Sequence, residues 1–350
     1  MKEKIALLKI KAKDFYLKSK DIFFSMITGA KKFKIKKAKK TLVKFCKKTS
    51  KIVSDTWKPF VIGVPSFLLC YYIIGALVSE NISVEPVNKN QSENMAKSRV
   101  LETMQTILNR EVDKHIWTPN VPPVFPAYVL DNMPNFQIGA VSCVKDSVKI
   151  FKDFSVNNED KKHFKNALKM LDYPPDVWLL SQKSAFSIAP SSNSQYRKAR
   201  KELEKIDGYS IAPENLRLIL KNMAKNLQIL SAKNEERVRE FSSNFVDFSA
   251  DDLFYYNKGY AFSLWQICDS LAVDFKQIIL ASDVYADWTL LEANLQKAAQ
   301  FEVSFVRNGK PNSVLAPNHL LGQNYYLSTA RAEAEKINNR LGEYFYASTN

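Results

Sequence analysis

Apolar residues recur three and four positions apart over most of the chain, and strict alternation is almost absent, so the pattern predicts a mainly α-helical protein. In residues 1–57 the helical period is carried by Ile5, Leu8, Phe15, Ile22 and Met26, then by Ile35, Leu42, Phe45 and Ile52, with lysines on the other faces. Two basic amphipathic helices separated at Gly29 fit this pattern; a solvated lysine tail also fits the composition. Between Pro59 and Ser79 the periodicity gives way to an unbroken apolar run without a charge. At about 1.5 Å per residue that run reaches roughly 30 Å, the thickness of a hydrocarbon core, and it predicts a transmembrane helix over 58–79. The alternative is a buried helix of a soluble domain. Trp57, Tyr71 and Tyr72 add amphipathic rings, and Gly63, Pro65 and Gly75 allow a kink.

Residues 80–94 are polar and read as a short linker. From 95 to 350 the helical period returns and predicts one large helical domain. Its expected helices are Met95 to Trp117, Phe136 to Phe154, one opened by a capping box of Ser192 and Gln195, Pro213 to Ser242, Ser249 to Ala281, Tyr285 to Gln300, and Pro317 to Tyr346. Two stretches rich in proline, "TPNVPPVFPAYVLDNMPN" and "LDYPPDVWLLSQKSAFSIAP", read as breaks.

Charge refines this picture. The chain carries a formal +15, and all of it falls in the first sixty residues, where nineteen lysines face four acids and there is no arginine. The remainder is neutral and offers no basic groove for a phosphate backbone, which argues against a nucleic-acid enzyme. Lysine density before the apolar run places the N-terminus in the cytoplasm and the body outside by the positive-inside rule. The basic region is too long for the n-region of a cleaved signal peptide, so the span is expected to stay as an anchor. Lys36, Lys37, Lys39, Lys40, Lys44, Lys47 and Lys48 are then expected to face anionic lipid of the cytoplasmic leaflet. Nucleic-acid contact by the tail is a weaker alternative, because lysine without arginine suits charge attraction better than base readout.

Candidate chemistry is sparse. Three histidines and four cysteines show neither CxxC nor HExxH spacing, so no metal site and no cofactor is expected. Cys143 and Cys268 fall on apolar helical faces, where a disulfide and two buried thiols are both compatible with an oxidising compartment. "SCVK", Ser142 to Lys145, matches an SxxK serine acylase pattern, but its companion motifs are absent. Asp251 and Asp252 read either as a paired-carboxylate acid/base couple or as acids favoured by a helix N-terminus. His319 beside Asn318 reads as a hydrogen-bonding helix start.

The blocks "VFPAYVLDNMPNFQIGAV", "SIAPSSNSQYRKARKELEKI", "DDLFYYNKGYAFSLWQICDSLAVDF" and "NGKPNSVLAPNHLLGQNYYLSTARAEAEKI" resemble successive motifs of domain of unknown function 2333, a bacterial family of single-pass inner-membrane proteins. The resemblance runs over most of residues 115 to 345. It implies an envelope protein of a Gram-negative bacterium with a periplasmic helical domain, and it implies no activity. Cys143 and Cys268 stand where the family has apolar residues, which favours buried thiols. The motif residues Asp131, Asn132, Asn135, Ser192, Tyr196, Asp251, Asp252, Tyr255, Asn308, Asn318, His319 and Asn324 are the candidate interaction positions. The expected role is a binding or scaffold module with a protein partner in the envelope. The alternative is a periplasmic enzyme acting on cell-wall or lipid material, which requires Asp251, Asp252, His319 and Tyr325 to converge in one cleft.

Overall fold

The computed structural model describes residues 58–87, 98–178, 189–241, 247–313 and 316–349, with the side chains of 58–62, 77–79, 129 and 346–349 excepted. The lysine tail, with its expected lipid-facing lysines, and Cys46 lie outside the described residues. The chain divides into two compact units, Met1–Glu80 and Asn81–Asn350.

In the first unit the expected span forms helix α1, Lys58–Ser79, with Pro65 inside it. Val64, Phe67, Leu68, Leu69, Tyr71 and Ile73 are all exposed along it. Among the described residues no helix is long and apolar enough to cross a membrane.

The second unit is built from nine further helices among the described residues: α2 (Arg99–Asn109), α3 (Asn132–Phe151), α4 (Asn158–Leu171), α5 (Ser192–Leu203), α6 (Pro213–Phe241), α7 (Phe248–Asp274), α8 (Lys276–Ala281), α9 (Tyr285–Gln300) and α10 (His319–Thr349). No strand occurs among the described residues, and two isolated bridges, Ser155 with Tyr209 and Asn308 with Asn318, tie loops together.

Helix α7 is the axis of this unit. From Asn257 to Cys268 every residue is buried, as expected of a helix enclosed by α2, α3 and α9. Helix α3 runs parallel to it, because Asn135 meets Asp252 and Asp146 meets Tyr260. Helix α2 runs antiparallel, joined by Thr103 to Ser270 and by Arg99 to Asp274. The Asp274 carboxylate accepts the backbone N–H groups of Arg99 and Val100 and the hydroxyls of Ser98 and Tyr209. An acid from the end of one helix thus satisfies free donors at the start of another, where the dipole favours negative charge. Helices α6 and α10 form a second antiparallel pair, and α9 packs on both α10 and α7. Ile82, Val84 and Val87 of the expected linker pack on the main core, and Val87 N–H donates to Gln266 at 2.9 Å.

Several boundaries differ from expectation for local reasons. The helix expected over Met95 to Trp117 widens into a π-helical turn at Arg110–Lys114, followed by Ile116 at φ 61°. That turn lets Arg110 lie over Phe262, 3.9 Å from the ring centroid, beside the fully buried Glu111. The proline connector holds a 3₁₀ turn, Pro126–Val129, and α3 starts at Asn132, earlier than the expected Phe136. Pro134 is tolerated there because first-turn N–H groups have no intrahelical acceptor. Ser192 does not cap α5; the N-cap is Ser191, and the buried Ser192 hydroxyl donates to Pro174 O at 2.6 Å instead. The helix expected from Ser249 to Ala281 breaks at Phe275, whose ring is buried. Pro213 opens α6 as expected.

Candidate functional site

The parallel packing of α3 and α7 sets their two N-termini side by side, and three carboxyl groups gather there. Asp131 precedes α3, while Asp251 closes the first turn of α7 and Asp252 follows it. The Asn135 side-chain amide donates to Asp252 at 2.6 Å and to the backbone carbonyl of Asp131 at 3.1 Å. Asn135 thus holds the Asp252 carboxylate beside the Asp131 backbone. A cleft of about 270 Å³ opens beside Asp252, lined by Asn135, Lys233, Ser249, Leu253 and Tyr256. The Lys233 ammonium lies 5.9 Å from the centroid of the Tyr256 ring.

Burial raises the Asp251 carboxyl to about 6, with the charges of Asp131 and Asp252 adding to it. Burial and then Asp131 raise Asp252 to about 6. The helix ends favour the ionised forms, so desolvation and mutual repulsion outweigh the dipoles here. The cluster can hold or release a proton near pH 6, or pair with a cation. Among the described residues no group of three His, Cys, Asp or Glu side chains is arranged to hold a metal ion.

This geometry gives a pH prediction. A carboxyl with a raised folded-state pKa contributes stability that is complete below the unfolded value near 3.9 and is lost as pH rises through about 6. Asp251→Asn removes that loss. It is expected to raise stability by about 1 kcal/mol at pH 8, after discounting for solvent screening, and to change little at pH 4. Denaturant unfolding at the two pH values measures the difference.

The remaining motif residues serve elsewhere. The Asn318 side chain caps α10 by accepting Leu321 N–H at 3.0 Å, and its amide donates to Asn308 Oδ1 at 2.8 Å. The buried Asn308 amide donates to Asp247 Oδ2 at 2.9 Å. Asp247 caps α7 and pairs through both oxygens with Arg237 near the end of α6. The network Arg237–Asp247–Asn308–Asn318 therefore fastens the loop between α9 and α10 to α6 and α7. His319 Nδ1 accepts the Arg307 backbone N–H at 3.0 Å, while burial and then the charge of Arg307 lower its pKa. Tyr325 is exposed and stacks edge-on with Tyr326. The four groups required of an acid/base centre are thus split, with Asp252 alone of them lining the cleft and Asp251 next to it in sequence.

Asn324 is buried on α10 and donates to Glu235, while Tyr255 packs edge-on against Phe254 in a small satellite core. Tyr196 donates to Tyr173 O at 2.8 Å and stacks edge-on with Trp117, so with Ser192 it pins the second proline-rich break. Asn132 is half-buried, as suits the first residue of α3. Cys143 and Cys268 are free thiols, fully buried, and burial pushes both well above the usual thiol range. Lys145 reaches Asp172 at 3.6 Å, and Ser142 hydrogen-bonds with Tyr256, so the SxxK spacing forms no serine–lysine pair.

Sequence reasoning missed Asp131 as a member of the acidic cluster, the Arg237–Asp247 pair and two close-packed glycines. Gly139 and Gly259 did carry a signal, as isolated glycines inside helical patterns. The ion pair carried none, since ten residues separate its members across a helix end.

No curated protein and no solved structure matches the chain. Residues 210–342, from just before α6 into α10, match a family described as an uncharacterized protein conserved in bacteria, domain of unknown function 2333, the family that the motif blocks resemble.

Proposed function

We propose that the chain is a single-pass bacterial inner-membrane protein, cytoplasmic at its N-terminus, whose helical body acts in the periplasm as a binding or scaffold module. The observation that carries this reading is α1. It follows a lysine-rich segment, lacks charge from Pro59 to Ser79, and exposes apolar side chains on several sides. Such a helix needs an apolar medium around it, and lipid supplies one. Eighteen lysines before it, with Lys58 at its start, and a neutral body after it favour this orientation. Membrane anchoring with anionic-lipid contact by the tail follows from the same asymmetry. A binding role suits a body whose motif residues mostly tie helices and loops together while one end gathers three carboxyl groups.

The test is a pair of reporter fusions, after Asn90 and after Asn350, with a reporter active only outside the cytoplasm. Activity from both is the expected result in intact cells. Silence from both would overturn the topology.

One observation favours a second reading, an enzyme acting on cell-wall or lipid material: Asp252, raised to about 6, lines a cleft, and a carboxyl there is suited to proton transfer. It requires turnover of peptidoglycan or phospholipid by the purified chain that disappears in Asp252→Asn; absence of turnover in the parent chain eliminates it.

A further inference from the structure

The end of the bundle where α3 and α7 begin carries more than carboxylates. Phe125 and Tyr128 sit on the proline-rich connector at 46% and 56% exposure, and Phe248 opens α7 at 70% exposure. Phe248 precedes Asp251 by one helical turn, so the two share a face. Tyr128 belongs to the 3₁₀ turn three residues before Asp131, and the Asn135 amide joins the Asp131 carbonyl to the Asp252 carboxylate. Aromatic and acidic groups therefore share this end of the bundle. Exposed rings beside anionic groups repel phosphates and acidic headgroups and favour a ligand that is both apolar and cationic.

We propose that this surface docks a lysine- or arginine-rich amphipathic segment of a partner protein, with apolar residues against Phe125, Tyr128 and Phe248 and cations against Asp131, Asp251 and Asp252. The inference rests on the binding-module reading and gives it a partner class. Charge complementarity sets the choice of occupant. An amphipathic helix brings apolar and charged faces together at the spacing this surface presents. Lys233, reaching the cleft from α6, repels cations there and steers them toward Asp131 and Asp251. Asp131, Asp251, Asp252, Lys233 and Tyr256 are the titratable groups facing the site. Ionisation of Asp251 and Asp252 as pH rises through about 6 strengthens the attraction.

The experiment uses the full chain in nanodiscs of zwitterionic lipid and a labelled synthetic peptide of lysine and leucine at helical spacing, read by fluorescence anisotropy against empty nanodiscs. Saturable binding is expected, stronger at pH 8 than at pH 5. The double variants Phe125→Ser with Tyr128→Ser, and Asp251→Asn with Asp252→Asn, are each expected to weaken it about tenfold or more. Melting temperatures no lower than the parent's separate lost binding from lost fold. Equal binding by the parent and both variants, or equal binding of a glutamate–leucine counterpart, overturns the proposal, as does a preference for anionic vesicles over the peptide. Silent topology reporters alongside variant-sensitive peptide binding would sink the membrane orientation and support the docking surface.

Discussion

Gly139→Ala and Gly259→Ala are each expected to destabilise the helical body by about 3 kcal/mol, the upper part of the usual range for overpacking. The two glycines face the opposite helix at the points where α3 and α7 approach most closely. A Cβ on Gly139 would lie 2.0 Å from the backbone oxygen of Tyr256, and one on Gly259 would lie 1.9 Å from that of Phe136. Both obstacles are backbone atoms of hydrogen-bonded helices, so no side-chain rotation relieves the clash, and the helices themselves must part. Parting them loosens Phe136, Val144, Phe262 and other residues of the main core. In a unit of this size the loss lowers the melting temperature by roughly 10 °C. Gly208 supplies the control, because a Cβ there meets nothing within 4 Å, and Gly208→Ala is expected to change stability by less than about 1 kcal/mol. Because one separation of α3 from α7 relieves both clashes, the double variant is expected to lose less than the sum of the two single ones. Full additivity in thermal melts would show that the helices do not move as a pair.

Separating α3 from α7 also disperses the acidic cluster, since Asp131 and Asp252 meet only through that packing. This connection explains what the sequence made legible. The helical class, the start of α6 at Pro213 and the carboxylate pair Asp251–Asp252 could be read from periodicity, proline placement and adjacency. All three are local signals. Asp131 joins that pair across more than a hundred residues of chain, and no local pattern encodes a contact set by parallel helices joined through α4, α5 and α6. Ser192 shows the opposite failure. Its capping-box spacing was a true local signal, yet the hydroxyl is buried between Pro174 and Val177, because donating to one loop carbonyl and accepting one loop N–H indoors outweighs one cap that water could replace. Asn318 kept its expected role as a helix start because it lies where α10 begins with partners already nearby. Phe275 broke a helix with neither glycine nor proline beside it, so no breaker signal marked the position, and its ring is buried there.

Arg237→Ala is expected to cost about 3 kcal/mol, and the reason is the carboxylate it leaves behind. The Asp247 side chain is 1% exposed, against 21% for that of Arg237. Removing the cation therefore strands a buried anion, the costlier half of a broken pair. What still holds Asp247 is the Asn308 amide and the Ala250 N–H, both neutral donors. Burial opposes ionisation of Asp247, but the bonds from Arg237, Asn308 and Ala250 together hold its pKa below the usual value. A lowered folded-state pKa contributes stability that is present above the unfolded value near 3.9 and is lost as pH falls through the folded one. Without Arg237 burial acts against fewer partners, so the pKa rises: the variant is expected to lose less stability than the parent does on acidification below about pH 3.9. Arg237→Lys tests geometry apart from charge, because an ammonium cannot bond both carboxylate oxygens as the guanidinium does. An intermediate loss in that variant would show that the fork matters as well as the charge. If Arg237→Ala melted with the parent at neutral pH, the loop between α9 and α10 would be held by Asn308 and Asn318 alone, and the ion pair would contribute nothing measurable to the fold.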